Sequence, residues 1–376
     1  MTIEELTTFE KLNNAFYESA MISQWKEATQ RYKSNLFANN LKLQQELRNG
    51  TYKISQTTNF QLNERGKVRN IEAPAIRDRI IQKVLCQNIL VPYLTKPLIY
   101  DNYASLKGRG TSFARKRIDV LLQKFIRKHD DGYVLQIDIR KYFESIDHDI
   151  LKIMLHERIC EPKDIMDLID YFVDTSSHSN KGLNLGSEAP QIFAIYYLSP
   201  IDSYIKTVKS IKYYGRYMDD MFIFSDDRQA LKELLKEIKT ELAKLKLQIN
   251  DKKTHITKLS HGFTLLQIKY NVDGKRIIKR PTHSKIARER RRLKKYKKLY
   301  DSGTMAENDI RNCYMSWRNA LVKDCNACYK TIQSMDALYK ELFPIRKPAE
   351  KLKRSEIIER AFAELYEAEF GEINSS

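Results

Sequence analysis

An α+β fold is predicted for this chain, and three features of the sequence predict it. Strand-like and helix-like runs mix without the strict alternation of a doubly wound parallel sheet. Two β-rich runs within 212–225 flank Met218-Asp219-Asp220 and read as a hairpin. After Pro281 the apolar spacing is helical almost throughout, so helices are segregated towards the end of the chain.

The elements follow in order. Residues 1–50 space apolar and polar groups at helical intervals, with Gly50 as the stop. Residues 51–71 turn to short strands around Glu64-Arg65-Gly66-Lys67. Ala75 to Leu94 reads as an amphipathic helix closed near Pro92 and Pro97. The loop Lys107-Gly108-Arg109-Gly110-Thr111 then opens a helix running to about Arg127. The apolar run Tyr133 to Ile139 follows Asp131-Gly132 and is expected to be a buried strand. Helices are expected at 147–158, 162–173, 190–208 and 229–247, three short strands at 254–280, and helices beyond, broken near Gly303 and at Pro344 to Pro348.

The chain carries a net charge of +18, which points to a polyanionic partner, nucleic acid being the commonest; a basic balance kept for solubility is the plainer alternative. With 376 residues it can bury a substantial core in two or three subdomains. Its start lacks the basic-then-apolar pattern of a signal peptide, and no apolar run approaches membrane-spanning length. Five cysteines, an odd number, speak for a reducing compartment, and the cytoplasm is the expected location. No internal repeat or low-complexity linker interrupts the chain, and the shift near 281 into a dense basic run is the clearest domain boundary.

The sharpest chemical signal is Tyr217-Met218-Asp219-Asp220 at the hairpin tip. Adjacent carboxylates at a tight turn are unfavourable unless a cation joins them. Asp138 ends the strand Val134-Leu135-Gln136-Ile137; alone it reads as a turn or capping residue. If that strand pairs beside the hairpin, three carboxylates meet, a set suited to two Mg²⁺ ions bridged by phosphate oxygens. Lys67 and Arg69, two apart on a strand, share one face and suit a grip on phosphates, though a solvated edge pair looks the same. Residues 285–298 carry nine lysines and arginines, with Ile286, Leu293, Tyr296 and Tyr300 at helical spacing. One face of such a helix would pack while Arg291, Lys294 and Lys298 face a phosphate backbone or solvent. Cys325 and Cys328, with Cys313 upstream, lack the second pair or histidine that a tetrahedral site needs, and the region reads as helix.

The tetrapeptide Tyr217-Met218-Asp219-Asp220 resembles motif C of reverse transcriptases. Asp138-Ile139-Arg140-Lys141-Tyr142-Phe143, followed by Ser145-Ile146-Asp147-His148, resembles motif A of the bacterial members. The resemblance runs from about Asn35 to Tyr270 with the motifs in order. It implies a right-hand polymerase with an antiparallel palm sheet and a helical C-terminal region. Its expected divisions are a helical region at 1–50, fingers at 51–130 with a further segment at 147–190, palm at 131–281, and thumb and extension at 282–376. It implies RNA-directed DNA synthesis from an RNA template and dNTPs, with two Mg²⁺ ions, or Mn²⁺ in their place, at Asp138, Ile139, Asp219 and Asp220.

Further positions follow from the same resemblance. Lys67-Val68-Arg69, Pro74 and Arg77-Asp78-Arg79 are similar to the fingers segment that meets incoming triphosphate and template. Phe143, five residues after Asp138, stands where the family has an aromatic gate against the 2′-hydroxyl; a core role is the plainer reading. Leu185-Gly186-Ser187-Glu188-Ala189-Pro190-Gln191 takes the place of motif B, whose glycine admits template and nascent pair, and Gly186 and Gln191 are its expected substrate contacts. Lys253-Thr254 looks like motif D, whose lysine is a general acid for departing pyrophosphate; surface charge accounts for it equally well. His261 to Leu266 resembles the primer grip, with Gln267 where the family often has glycine.

Leu185-Gly186 and Gln191 are closer to abortive-infection and diversity-generating enzymes than to the Gln-Gly pattern of introns, although Pro190 stands where diversity-generating enzymes usually have serine. The expectation is a stand-alone bacterial or phage enzyme in antiphage defence, copying a dedicated non-coding RNA, with an accessory protein or second subunit as a further partner. A diversity-generating enzyme making mutagenised cDNA is the alternative. An inactive nucleic-acid-binding protein of polymerase fold is the alternative of another class, which the retained Asp138, Asp219 and Asp220 oppose.

Overall fold

The computed structural model of the chain describes residues 1–64, 67–177 and 179–344. The turn residues Arg65 and Gly66, the side chain of Lys67, and everything after Pro344, including Pro348, lie outside the described residues. The described residues form two compact units, divided between Ile278 and Lys279.

The first unit begins with α1 (Ile3–Leu6), α2 (Phe9–Ala20), α3 (Glu27–Ser34) and α4 (Leu36–Arg48). Thr2 and Thr8 cap the first two by accepting from the Glu5 and Lys11 amides. A hairpin follows, β1 (Thr58–Glu64) with β2 (Lys67–Ala73), in a register that sets Leu62 opposite Arg69. α5 (Ile76–Leu85) and α6 (Val91–Leu94) are joined by a π-helical turn over Cys86–Leu90. The helical run that starts at Ile76 continues through the π-helical turn and ends at Leu94, between Pro92 and Pro97, as the sequence suggests.

The core is a four-stranded antiparallel sheet in the order β4-β5-β3-β6, built from β3 (Tyr133–Ile137), β4 (Tyr214–Tyr217), β5 (Asp220–Ser225) and β6 (His255–Lys258). α7 (Thr111–Lys128) packs on β4 and β5. Two glycines admit close neighbours: an added Cβ would strike the α7 ring of Phe125 at Gly132, before β3, and the Tyr103 hydroxyl at Gly215, on β4. Between β3 and β4 the chain forms α8 (Tyr142–Ser145), α9 (His148–Arg158), α10 (Lys163–Asp174), α11 (Glu188–Tyr197) and α12 (Ser199–Ser203), the last running into a second π-helical turn at Tyr204–Val208. α11 is buried nearly all round, which explains its weak amphipathic pattern in sequence. α13 (Arg228–Lys244) follows β5, capped by Asp227.

A three-stranded sheet of β7 (Phe263–Leu265), β8 (Ile268–Asp273) and β9 (Arg276–Pro281) comes next. Residues 254–280 thus hold four strands rather than the expected three, because β6 joins the main sheet while β7 to β9 form their own.

The second unit consists, among the described residues, of α14 (His283–Asp301), α15 (Glu307–Asp324) and α16 (Tyr329–Leu342) around Leu293, Ile310, Tyr314, Met335 and Phe343. Tyr314 and Tyr339 stack with ring centroids 4.5 Å apart. Cys325 and Cys328 lie on the turn between α15 and α16, not within a helix as expected. The Cys328 thiol is satisfied locally by the Cys325 carbonyl at 3.5 Å. Among the described residues no helix is long and apolar enough to cross a membrane.

Candidate active site

The central strand and the hairpin turn meet at one end of the main sheet. β3 pairs with β5 so that Ile137 opposes Met221, and Tyr217 pairs with Asp220 to close the two-residue turn Met218-Asp219. Asp138, the residue after β3, therefore lies beside that turn. Met218 takes φ +54°, a conformation that hairpin turns require at this position but that a methionine adopts at a cost.

Asp138 is 8 % exposed and held from all sides by the 250–254 turn. Its Oδ1 accepts from Lys253 Nζ and its Oδ2 from Asn250 Nδ2 at 2.9 Å. Its carbonyl accepts from the Asn250 amide at 2.7 Å, and its own amide donates to Thr254 Oγ1 at 3.3 Å. Asn250 was not legible in the sequence as a site residue. Only its place just before Lys253-Thr254 hinted at it.

Asp219 is half-buried. Burial pushes its carboxyl above the usual carboxylate range, and the neighbouring Asp138 charge adds to the rise. A bond from its own backbone amide, together with the cations Lys253 and Arg69, pulls the other way. Arg69 of β2 and Lys253 thus both act on Asp219, although they are far apart in sequence, and Lys253 reaches Asp138 as well.

Asp220 is exposed at the first position of β5. Among the described residues no three acidic, histidine or cysteine side chains stand close enough to hold an ion between them. Asp138 and Asp219 form the close pair, and Asp220 follows one residue on, at the start of β5. Such a pair still fits Mg²⁺, which is commonly held by one or two carboxylates with substrate phosphates and water completing its shell. The Lys253 ammonium already resting on Asp138 shows that this carboxylate attracts a cation. Ile139 is buried and bridged to Ile249, which fixes the backbone just beyond Asp138.

Phe143 lies on α8, after Lys141 at φ +47° has turned the chain. Its ring is half-buried, edge-on to Tyr142 at 5.8 Å, and its carbonyl accepts from the Leu183 amide at 2.7 Å. Gln191 on α11 is exposed and accepts from Ser105 Oγ at 3.1 Å.

Gly186 has a local reason to be glycine. Its φ is +123°, and an added Cβ would come within 2.9 Å of the Glu72 carbonyl oxygen, while the Glu72 amide donates to the Leu185 carbonyl at 3.0 Å. The motif-B loop is thereby laid directly on β2, the strand that carries Arg69. Gly186→Ala should lower stability by about 1–3 kcal/mol and loosen this packing. Thermal unfolding checks it, and an unchanged Tm would mean that the loop tolerates a side chain.

The segment Arg77-Asp78-Arg79 is turned inward, contrary to the expected role in meeting substrate. Arg77 pairs with Glu46 and lies over the Tyr52 ring, Asp78 accepts from the Tyr52 hydroxyl and the Ser55 amide, and Arg79 reaches Ser19 and Ser23. These side chains bind the N-terminal helices to α5. At the β7–β8 turn both Leu266 and Gln267 have positive φ, +46° and +65°, and Arg115 donates to the Leu266 carbonyl at 2.9 Å. This left-handed backbone is what a glycine would favour at Gln267.

In the second unit α14 buries Leu293, with Ile286, Tyr296 and Tyr300 partly covered, and leaves Arg291, Lys294 and Lys298 exposed. If that exposed face tracks a phosphate backbone, neutralising the three should weaken binding to all sequences alike. The slope of log affinity against log salt should shrink by about 0.7 to 0.9 for each phosphate that the variant no longer neutralises. An unchanged slope would make the helix a solvated face.

A β4-β5-β3-β6 antiparallel sheet with an aspartate closing its central strand and another on the adjoining hairpin turn has the fold of a palm-type nucleic-acid polymerase. Residues 56–270, more than half of the chain, match the family model for reverse transcriptase (RNA-dependent DNA polymerase), and the chain belongs to that family. Comparison with curated proteins finds no match. Among solved structures the chain is similar to apo telomerase from Candida tropicalis truncated from its C-terminal domain, with 13% identity and a TM-score of 0.46, covering 64% of this chain and 60% of that one. Apo telomerase from the same organism gives 14% identity and a TM-score of 0.46 over 77% and 60% of the two chains. Telomerase from Candida albicans in complex with a TWJ fragment of telomeric RNA gives 10% and 0.44 over 84% and 62%. The chain thus spans about 60% of the length of these structures.

Proposed function

We propose that this chain is an RNA-directed DNA polymerase, a nucleotidyltransferase that extends a primer with dNTPs on an RNA template. The observation that carries the reading is the meeting of Asp138 and Asp219 at the end of the sheet, with Lys253 acting on both and Arg69 on Asp219. Asp138 and Asp219, with Asp220 and the Ile139 backbone beside them, are the residues that would hold two Mg²⁺ ions, or Mn²⁺ in their place. Bound there, the metal supplies Lewis-acid activation of the primer 3′-hydroxyl and stabilises the departing pyrophosphate.

The remaining roles belong to the chain's own groups. Lys253 gives a proton to the pyrophosphate as it leaves. Arg69, with Lys67, grips the triphosphate. Phe143 excludes the 2′-hydroxyl, while Gly186 and Gln191 lie along the template side. Arg291, Lys294 and Lys298 follow the duplex backbone. In this reading the fingers comprise 51–130 with 147–190, the palm 131–281 and the thumb 282–376.

The enzyme is read as a bacterial or phage type acting in the cytoplasm, in antiphage defence, on a dedicated non-coding RNA. The motif-B residues Leu185, Gly186 and Gln191 support that type through their resemblance to abortive-infection enzymes. Sequencing the nucleic acid that copurifies with the protein tests it. One non-coding RNA with its complementary cDNA is expected. cDNA scattered with substitutions would favour the diversity-generating type, and bulk cellular RNA without cDNA would contradict the proposal.

A further inference from the structure

A buried polar network lies directly behind the Met218-Asp219 turn. Arg216, on β4, is fully buried, and its guanidinium reaches three separate elements. Nε donates to both Asp202 carboxylate oxygens at 2.9 and 3.1 Å, and Nη2 also donates to that carboxylate. Nη2 further donates to the Ile195 carbonyl of α11 at 2.9 Å, and Nη1 donates to the Met218 carbonyl at 3.0 Å. Asp202, on α12 and 1 % exposed, also accepts from the buried Tyr214 hydroxyl. The Arg216 backbone is tied as well, its amide to the Asp101 carbonyl and its carbonyl to the Tyr103 amide, both at 2.9 Å.

A buried ion pair contributes little to stability, because desolvation offsets its attraction, so its presence here asks for another role. The guanidinium charge is already matched by Asp202. What the network adds at the site is geometry. The Met218 carbonyl belongs to the peptide that links Met218 to Asp219, and Met218 is held at φ +54°, from which a methionine would relax if released. Only a rigid planar fork can hold Asp202, Ile195 and Met218 at once; a lysine in its place could not.

We infer that Arg216 is a positioning residue for the polymerase reaction proposed above: by donating to the Met218 carbonyl it fixes the peptide that carries Asp219, while Asp202 and Tyr214 lock its guanidinium. The inference rests on the polymerase reading for its consequence, but the brace itself can be measured without activity.

The test replaces the network with apolar groups of similar size, Asp202→Leu, Tyr214→Phe and Arg216→Met together. Such exchanges commonly leave stability intact. The expected result is a Tm close to the parent's, a kcat on an RNA template lowered by roughly 10- to 100-fold, an unchanged KM for primer–template, and faster hydrogen exchange at the amides of 217–220. A kcat that stays with the Tm, together with unchanged exchange, would make the network purely structural and overturn the inference. Should the triple variant not fold, Arg216→Lys keeps the charge opposite Asp202 and loses the fork. The same drop in kcat and faster exchange are expected there, and parental values of both would overturn the inference. Faster exchange in a variant whose parent extends no primer would uphold the brace and remove the polymerase reading instead.

Discussion

Replacing Asp219 by Asn is expected to lower DNA synthesis by at least about a thousandfold, equivalent to roughly 4 kcal/mol in the barrier. The amide keeps the shape of the carboxyl and its place at the turn but removes a charge. In the free protein that charge stands in an unfavourable setting, half-buried and beside Asp138, which is why its carboxyl is pushed upward. The substitution should therefore leave the Tm unchanged or raise it slightly. RNA affinity, which rests on the basic surfaces, should survive. A stable Asp219→Asn protein that still polymerises near the parental rate would remove Asp219 from the reaction.

The second large effect concerns sugar choice. Shortening Phe143 to Ala or Val should open the site to ribonucleotides more than it slows deoxynucleotide addition. A ring beneath the sugar discriminates by a clash and by leaving the 2′-hydroxyl unsatisfied against an apolar face. Such penalties amount to about 2–4 kcal/mol, so kcat/KM for dNTP over rNTP should fall by roughly thirty- to a thousandfold. Phe143 also packs against the core, so either variant loses some stability. The ratio of the two activities is unaffected by how much enzyme is folded and is the proper readout. If both activities fall together and the ratio holds, Phe143 is a packing residue.

Much of the site was legible because its signals are local. Asp219 sits in a tetrapeptide flanked by β-rich runs, and Asp138 ends an unmistakable apolar strand, so pairing the two required only that the strands be neighbours. Lys253 was visible as a residue but not in its geometry, since nothing local says that it folds back onto Asp138. Arg216 and Asp202 show the limit more sharply. An arginine in a strand and an aspartate in a helix read as surface charges until packing buries both, and their partnership depends on how α12 meets β4. Arg77 and Arg79 erred in the opposite direction: their likeness to the fingers segment suggested incoming triphosphate and template, while the N-terminal region supplies Glu46, Ser19 and Ser23 as their partners.

The secondary structure was readable where periodicity is strong and failed where packing overrides it. α13 and α14 have clear apolar stripes and lie close to the expected bounds. The π-helical turns at Cys86–Leu90 and Tyr204–Val208 leave no periodic trace over so few residues. The separation of β6 from β7 to β9 reflects which sheet each strand joins, a long-range choice that alternation within a strand does not encode.

The central claim is that Asp138 and Asp219 together support DNA synthesis directed by RNA. The most direct measurement is extension of a labelled DNA primer on a defined RNA template by the purified parent protein, with dNTPs and Mg²⁺, followed by sequencing of the product. The account predicts full-length DNA complementary to the template, abolished when the metal is chelated and abolished in the Asp219→Asn protein. A parent protein that binds the primer–template duplex but adds no nucleotide, or adds a sequence unrelated to the template, would contradict it.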